Sequence, residues 1–533
     1  MMSIGDSLLS NAGGRNPGSN QTSPFLNWAA YARLPKAHCN SKELKALGDL
    51  YEAHFGNDEA PTLAARHGIF SHHGNTPNGI RLSVEYAMKE GLVRFVVCTS
   101  TLAQGVNLPI RYLIVSGTMQ GAERIKARDF HNLLGRAGRA GMHTEGTIIF
   151  SDPKLYDLRT VDGESWRWNN ATELLDPSKT GSTESSLLEL LAPLENDSGR
   201  MYLKLDIVEL LKQVLNEPER AYRNLSQAGK QFEAQRFSEK GLQSQLKKRV
   251  KLLEAIESYL MANRGSEPFA EYLAATEDLA KQTLGYHMAD EGKKQQLVRL
   301  FAMVAEYIEN GEPDATVQAT FGRTLLGLAD SERIMAWTAQ NTQLLVDANS
   351  TSALLELLWP VITEVLSDDL DRYLPSTAIL PLAQSWVAGD SYAEIFAAWV
   401  SAGGSIRWGK KTRETKMDDI VELCDNVIGY HSTLVIAAVA EHLGGLTIDG
   451  AADCVLSMGT LQKQMKYGVS EIDEIAFYEM GFADRVVAQA LRSVIAATRG
   501  RTVRGRLRLR ADAVRETLEQ FPRYFSVCLS SLL

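Results

Sequence analysis

The chain has 533 residues, enough for roughly three to five domains, and its 44% hydrophobic and 23% charged residues are typical of globular proteins. Its net charge of -9 excludes a uniformly basic nucleic-acid-binding protein, although an acidic body is compatible with a local basic groove. Five scattered cysteines without a C-x-x-C spacing indicate reduced thiols rather than a disulfide framework or a zinc knuckle. The sequence shows neither a secretory signal nor an apolar run of about 18 residues, which predicts a cytoplasmic protein without a membrane partner.

Residues 1–36 are predicted to be a linker or a flexible terminus, because Ser10–Pro24 is rich in Ser, Asn, Gly and Pro. A helix is predicted next, starting at Asn40 and ending at Gly56. Asn40 and Glu43 have the spacing of a capping box, and apolar residues then recur on one helical face.

Short apolar runs alternate with helical patterns over residues 37–180. The predicted strands are Ile69–Phe70, Leu92–Cys98, Arg111–Ser116 and Gly146–Phe150. A second helix is predicted from about Gly79 to Glu90, with Asn78 as its cap. Leu92–Cys98 is a nearly continuous apolar run, which predicts a strand buried on both faces. The alternation predicts an α/β domain with a parallel sheet.

The remaining residues are predicted to be mainly helical, with a helical region over 181–390 and a helical carboxyl-terminal domain over 391–533. The region 181–390 has room for a winged-helix element that the sequence does not locate. Apolar stripes at helical spacing support this prediction; they comprise Ile207, Leu210, Leu211 and Val214, and then Leu242, Leu246, Val250 and Leu253. No period of 20–50 residues is present, so a solenoid is not supported.

Two arginines on a glycine-punctuated turn are the candidate catalytic residues. Arg136 and Arg139 stand three residues apart, and glycines at 135, 138 and 141 let the backbone turn tightly around them. Paired guanidiniums of this kind can reach a triphosphate and neutralise charge as the γ-phosphoryl group departs. In phosphoryl transfer such an arginine finger acts on the transition state.

Polar residues follow the strand that ends at Cys98, where parallel sheets bind ligands. They are Thr99, Ser100, Thr101 and Gln104, and Gly105 permits close approach of a phosphate or a ribose. An earlier loop carries His72 and His73. Backbone amides at the helix opening after Asn78, together with Arg81, are candidates for holding a nucleic-acid phosphate.

The order of HHG…R, TSTLAQGVNLP and GRAGRAG resembles motifs IV, V and VI of superfamily 2 helicases, most closely the Ski-type branch of DExH-box enzymes. The resemblance implies that residues 39–151 form the second RecA-like domain of the motor. It implies roles in coupling nucleotide to strand for Thr99, Thr101, Gly105 and Asn107, and in facing the γ-phosphate for Arg136 and Arg139. It also places Gln104 at the nucleic acid, beside His72, His73 and Arg81, and Gly135 at the nucleotide. Asn132 replaces the usual Gln of motif VI, and its shorter side chain puts that role in doubt.

The family's first RecA-like domain carries G-x-x-x-x-G-K-[ST] and D-E-x-H, and neither motif is found in this chain. Only 71 residues precede His72, whereas a RecA-like domain needs about 150. Two near matches are rejected: Gly404–Thr412 has Lys411 in place of the hydroxyl residue, and Asp473–Ala476 ends in Ala. ATP and Mg²⁺ are the cofactors that the family implies, but the Mg²⁺ ligands are not in this chain. We therefore expect this chain to be the carboxyl-terminal part of a helicase. A separate chain is one source from which the first RecA-like domain could come.

Two further segments are candidate nucleic-acid surfaces. The segment 499–510 is arginine-rich, and Arg504, Arg506, Arg508 and Arg510 would lie on one face of a strand and follow phosphates. The alternative is a solvated edge strand that deters aggregation. Around Arg407 and Trp408, cations accompany one aromatic residue that could stack on a base. The alternative there is a buried Trp beside a solvated loop.

No metal site is predicted. His67, His72, His73 and Cys98 lack ligand spacing and a supporting carboxylate pattern. The sequence likewise contains no G-x-S-x-G elbow on which a Ser-His-Asp triad could be argued.

The sequence supports two functional hypotheses. The first is the carboxyl-terminal portion of an ATP-dependent helicase that translocates on or unwinds DNA or RNA and is inactive alone. The alternative is a non-enzymatic adaptor, derived from a helicase, that binds nucleic acid or protein. The third hypothesis is a truncated reading frame whose product has no independent role. The sequence alone leaves open whether the chain is an enzyme.

We predict that the purified chain hydrolyses ATP negligibly, with or without DNA or RNA, because Arg136 and Arg139 act only across a cleft closed by the first RecA-like domain. Phosphate release measured with each nucleic acid tests this prediction. Nucleic-acid-stimulated hydrolysis that Arg139→Ala abolishes would contradict it.

Overall fold

The computed structural model describes residues 33–99, 110–120, 123–137, 145–180, 185–197, 201–495 and 502–533. The chain divides into two compact units. The first contains residues up to 181 together with 371–429 and 463–533, and the second contains residues 182–370 and 430–462. Residues on both sides of the boundary predicted at 390 therefore lie in the first unit.

The amino-terminal part of the first unit alternates helices and strands. Its helices are α1 (Arg33–Ala37), α2 (Ser41–Phe55), α3 (Ala60–Arg66), α4 (Asn78–Lys89), α5 (Ala127–Leu134), α6 (Lys154–Asp157) and α7 (Trp166–Leu175). Its strands are β1 (Ile69–His72), β2 (Phe95–Cys98), β3 (Tyr112–Val115), β4 (Met119–Gln120), β5 (Glu123–Arg124) and β6 (Thr147–Phe150). Helix α2 starts as predicted, because the Asn40 side chain accepts hydrogen bonds from the Lys42 and Glu43 amides, both at 3.1 Å.

The sheet is parallel, as the alternation of helices and strands predicted. Strand β1 pairs with β2 from Ile69 opposite Phe95 to His72 opposite Cys98. Strand β3 pairs with β6, whereas β4 and β5 form a short antiparallel hairpin. Helix α5 packs on the second parallel pair through a core of Leu113, Val115, Phe130 and Leu174.

One prediction about these strands is wrong. The apolar run ending at Cys98 was expected to be buried on both faces, but its residues alternate between exposed and half-buried. The other parallel pair, β3 and β6, also has exposed apolar residues, and Ile114 is 62% exposed. The exposed apolar side chains of the two pairs are Phe95, Val97, Tyr112, Ile114 and Ile149. Parallel strands normally have both faces covered, so within the described residues each pair is covered on one side only.

The carboxyl-terminal part of the first unit is helical apart from one small sheet. Its elements are β7 (Tyr373–Leu374), α19 (Ile379–Ala388), α20 (Tyr392–Ser401), β8 (Ser405–Trp408), β9 (Lys411–Glu414), α21 (Met417–Glu422), α24 (Ile472–Glu479), α25 (Arg485–Val494), α26 (Val503–Leu509), α27 (Ala511–Leu518) and α28 (Arg523–Leu532). Strands β7, β8 and β9 form an antiparallel sheet in that order. The Gly404–Thr412 match to a phosphate-binding loop is thus a β-hairpin, which agrees with its rejection.

The second unit is built from helices around one apolar core. They are α8 (Ser186–Leu190), α9 (Ile207–Asn216), α10 (Pro218–Gln231), α11 (Glu239–Ala262), α12 (Phe269–Lys281), α13 (Leu284–Met288), α14 (Glu291–Gly311), α15 (Ala315–Gly322), α16 (Leu328–Asp347), α17 (Thr351–Val365), α18 (Ser367–Leu370) and α22 (Ser432–Gly444). Helix α23 (Ala451–Tyr467) spans the chain position where the second unit ends. Both predicted apolar stripes lie on helices, and Leu211, Leu246 and Leu253 are fully buried in this core.

One helical run, Met417–Gly444, is long and apolar enough to cross a membrane by length and composition. The sequence predicted no such run. Just over half of its most apolar window, 56%, is buried inside the protein. That burial is the behaviour of a core helix, which meets the same length and hydropathy test.

A group of carboxylates surrounds a half-buried glutamate in the second unit. Glu254 on α11 lies near Asp330, Glu257 and Asp368, with Lys251 as the neighbouring cation. Burial, and then the adjacent carboxylates, raise the pKa of Glu254 to about 7. The adjacent Glu257 carboxylate instead accepts a 2.8 Å hydrogen bond from the Leu328 amide. Ionised Glu254 is therefore a local source of instability.

We predict that Glu254→Gln stabilises the protein at pH 8 by about 1–2 kcal/mol and has little effect near pH 4. A carboxyl whose pKa is raised on folding favours the folded state while protonated, and this contribution is lost as the pH rises from the ordinary Glu value towards about 7. Part of the full linkage energy is discounted because water reaches the group. Thermal unfolding as a function of pH measures the effect. Exposed Glu271→Gln is the control, and a pH-independent gain in both variants would contradict the assignment.

Candidate functional site

The carboxyl ends of β1 and β2 meet at one edge of the sheet. His72 ends β1 and stands opposite Cys98, which ends β2. His73 and Thr99 are the next residues after the two strands. The first two motifs therefore meet where parallel sheets bind ligands.

His72 holds the loop in place rather than presenting its imidazole to solvent. Its side chain is 4% exposed, and Nε2 lies 2.7 Å from Oε1 of Glu85 on α4. The contact of His72 with nucleic acid stays a prediction, and in the structure its ring has this partner on the adjacent helix. His73 follows as a half-buried residue whose amide donates to Thr76 Oγ1 at 3.1 Å. Burial lowers the pKa of His73, which favours a neutral ring.

The opening of α4 is packed against the protein's own carboxylate. Asn78 is the first helical residue and not the cap, and the capping position, Pro77, makes no side-chain bond. Any side chain at Gly79 would collide with the Asp484 carboxylate. The phosphate site at these amides stays a prediction. Arg81 donates to Asn78 Oδ1 at 2.9 Å, so its guanidinium lies at the helix opening as an internal partner.

Asp484 forms a buried pair with His54. His54 Nε2 lies 2.9 Å from Asp484 Oδ2, and both side chains are 1% exposed. The same carboxylate accepts from the Val486 and Val487 amides at the start of α25. Burial works to raise the pKa of Asp484, but His54 and these amides outweigh it and lower the pKa.

More charged and aromatic groups surround this pair. The Arg485 guanidinium lies 4.1 Å from the ring centroid of Trp386, and Tyr392 donates to Asp425 Oδ1 at 2.8 Å. Burial raises the pKa of Asp425 despite that hydrogen bond. Sequence reasoning missed this set of residues. His54 and Asp484 are 430 positions apart, and no local pattern marks either one.

The described part of the third motif lies at the end of α5. Asn132 and Gly135 are exposed, and Arg136 is half-buried. Gly135 has φ -62° and ψ -8°, an ordinary helical conformation that any residue adopts, so the predicted need for glycine does not apply there. Because a helix carboxyl terminus disfavours anions, a phosphate at this point requires the arginine side chains.

Several predicted site residues lie outside the described part of the chain. They are Thr101, Gln104, Gly105, Asn107, Gly138, Arg139 and Gly141. Thr99 is described as half-buried at the end of β2. The roles of all these residues stay predictions.

The arginine-rich segment does not form the predicted strand. Residues 503–509 form helix α26, in which Arg506 is buried and Arg504 is exposed. The Arg506 guanidinium makes two bonds to Asp473, at 2.7 and 2.5 Å. Helical geometry separates Arg504 and Arg506 onto different faces. A single row of arginines along phosphates is thus wrong, and Arg506 is an internal ion-pair residue.

Arg407 and Trp408 lie on hairpin strand β8. Arg407 Nη1 pairs with Asp371 Oδ2 at 3.2 Å, whereas the Trp408 side chain is 69% exposed. The alternative of a buried Trp is therefore excluded for Trp408.

The described residues fit one side of a nucleotide better than they fit a magnesium ion. Asn132, Gly135 and Arg136 offer an amide, an exposed backbone and a guanidinium at one helix end. Among the residues that the structure describes, no group of three His, Cys, Asp or Glu side chains is placed to hold a metal ion. Any Mg²⁺ that accompanies ATP would need ligands from other residues.

Comparison with known proteins decides the nature of the α/β part. Residues 44–141 match the family described as helicase conserved C-terminal domain. This segment is therefore similar to helicase C-terminal domains. The predicted superfamily 2 resemblance and the RecA-like fold of this segment are thereby confirmed, while assignment to the Ski-type branch stays a prediction.

The chain is also similar to individual proteins. The chain is 45% identical over 82 residues to Helicase POLQ-like of Caenorhabditis elegans, covering 15% of this chain and 9% of that protein. It is 36% identical over 98 residues to Hachiman protein HamB of Bacillus cereus, covering 18% and 9%. It is 36% identical over 102 residues to ATP-dependent DNA helicase Hel308 of Aeropyrum pernix, covering 18% and 14%. The chain thus spans about a tenth of the length of these relatives.

We predict that Asp484→Ala destabilises the first unit by about 3–5 kcal/mol, since it removes a buried ion-pair partner and a helix cap together. Urea unfolding followed by tryptophan fluorescence measures the shift in the midpoint. Asp512→Ala is the matched control, because Asp512 is 98% exposed and pairs only with Arg515 in the same helix. Equal shifts of the unfolding midpoint in the two variants would show that the buried pair stabilises the protein no more than the exposed pair does.

Proposed function

We propose that this chain is the carboxyl-terminal portion of an ATP-dependent helicase, which handles the translocating strand and completes the nucleotide site of a first RecA-like domain supplied from elsewhere. The observation that carries the proposal is the helicase C-terminal domain at 44–141, in which the first two motifs converge at one sheet edge. The rest of the described chain is mainly helical.

The arginines of the third motif give this portion its catalytic contribution. Arg136 follows α5 beside exposed Asn132 and Gly135, where a nucleotide bound to a facing domain can reach it. Arg139 follows three residues later in the sequence. Two guanidiniums facing the γ-phosphate would stabilise charge in the transition state, and ATP with Mg²⁺ would be held mainly by the other domain.

DNA is the nucleic acid that we propose. One relative is named an ATP-dependent DNA helicase, and another, from Drosophila melanogaster, is named DNA polymerase theta. These names describe those proteins, and the matches cover 18% and 26% of this chain. The net charge of -9 restricts strand contact on this chain to local cationic surfaces.

The open sheet face supports the need for additional polypeptide. Each of the two parallel strand pairs has exposed apolar side chains, namely Phe95 and Val97 on one pair and Tyr112 and Ile114 on the other. Because such faces are normally covered in parallel sheets, residues beyond those described, or a separate chain, would bury them. A chain that carries the first RecA-like domain is the partner that we propose.

We predict that adding a polypeptide with the phosphate-binding loop and D-E-x-H motif, encoded in frame or adjacent to this chain, produces ATPase activity stimulated by single-stranded DNA. Arg136→Ala should then lower kcat by about 10³-fold or more, as expected for an arginine finger. Arg515→Ala, at an exposed ion pair, is the control. Phosphate release with single-stranded DNA and RNA in parallel distinguishes the two nucleic acids.

The adaptor alternative gives a different result in the same assay. If the reconstituted pair binds single-stranded nucleic acid but hydrolyses ATP no faster than the Arg136→Ala pair, the helicase proposal fails. The adaptor reading then stands, provided that binding weakens with added salt.

A further inference from the structure

The β8–β9 hairpin is a rigid element with an exposed cationic and aromatic tip. Gly409 and Lys410 connect the strands, and Gly409 has φ 64°, as the first residue of a two-residue hairpin turn often requires. Trp408 and Lys411 are paired across the hairpin, so their side chains project from the same face. Trp408 is 69% exposed, and both lysines are exposed.

The base of the hairpin is fixed by ion pairs. Arg413 makes two bonds to Asp419, at 2.7 and 2.6 Å, and Arg372 adds a third at 3.1 Å. Asp419 is nearly buried and also accepts from the Lys416 amide at 2.9 Å. Two of the basic residues of the sequence cluster, Arg407 and Arg413, are thus occupied by carboxylates. Lys410 and Lys411 are the cations left at the tip.

The helices beside the hairpin do not offer an alternative cationic surface. A strand, two helices and a hairpin follow in order from β7 to β9, and residues 389–391 form the short turn between α19 and α20. Such a helix pair can place its second helix against nucleic acid. Here the two helices together carry one charged residue, Glu394. A phosphate backbone would be repelled by that helix and attracted by the hairpin.

Two features of the tip favour a single strand over a duplex. An exposed indole can stack only on a base that is not already stacked in a helix. The Arg413 guanidinium lies 5.6 Å from the Trp408 ring centroid and supports the indole from the hairpin side. On the opposite face of the hairpin, Leu374, Arg407 and Thr412 line an open hollow of about 540 Å³ together with the tip residues.

We infer that the hairpin tip is a binding site for single-stranded nucleic acid, in which Trp408 stacks on one unpaired base and Lys410 and Lys411 contact the flanking phosphates. This inference rests on the proposed function and adds to it a specific strand-contacting element. Arg407 and Arg413 serve to hold the hairpin in position.

Binding of the full chain to a labelled oligothymidine of roughly 16 nucleotides, measured by fluorescence anisotropy without nucleotide, tests the site. Trp408→Ala should weaken binding roughly fivefold to 150-fold, and Trp408→Phe should retain most of the affinity. Trp166→Ala, at another exposed tryptophan, is the control. Lys410→Gln with Lys411→Gln should flatten the slope of log K against log salt by about 1.4. Lys247→Gln with Lys248→Gln makes the same charge change elsewhere and should leave the slope unaltered.

The outcomes separate this inference from the proposed function. If Trp408→Ala and the double lysine substitution each change the affinity for the oligothymidine by less than twofold, the hairpin site alone is overturned. A wild-type chain that does not bind the oligothymidine at low salt overturns both the hairpin site and the strand-handling role. Far-UV circular dichroism of each variant establishes that the hairpin substitutions leave the fold intact.

Discussion

The buried pairing of His54 with Asp484 is the constraint on which the first unit depends. Both side chains are 1% exposed, and a lone charge at that depth would be strongly unfavourable. The pair therefore requires α2, the opening of α4 and the start of α25 to lie together. Gly79 packs directly on the Asp484 carboxylate, so the helix that follows the His72–His73 loop is fixed by the same residue. The carboxyl-terminal helices are in this way part of the structure that supports the helicase C-terminal domain.

Several charged residues that the sequence suggested as nucleic-acid contacts also have partners within the first unit. His72, Arg81 and Arg506 each have an internal partner, namely Glu85, Asn78 and Asp473. Each partner lies on the same compact unit. Among the residues predicted to contact a strand, Arg504 and Trp408 are exposed, and Trp408 lies with Lys410 and Lys411 on a hairpin that other charges hold in place.

Local patterns predicted the fold of the α/β part well. Asn40 caps α2, and the short apolar runs became β1, β2, β3 and β6, because capping and strand formation depend on neighbouring residues. Predictions that depended on distant residues failed. The strand at Phe95–Cys98 lacks a cover on one face, and alternate arginines at 504–510 form a helix in which Asp473 binds one of them. Periodicity of two describes a strand only when another strand pairs with it.

The motifs also show how far a site can be predicted from spacing. Order and spacing identified the helicase C-terminal domain correctly, since those residues act on a nucleotide and a strand whose geometry is shared. The anion predicted at the opening of α4 rests on a different principle, that helix amides attract an anion. Sequence spacing does not reveal that the Asp484 side chain, about 400 residues later in the chain, packs against Gly79 at this opening.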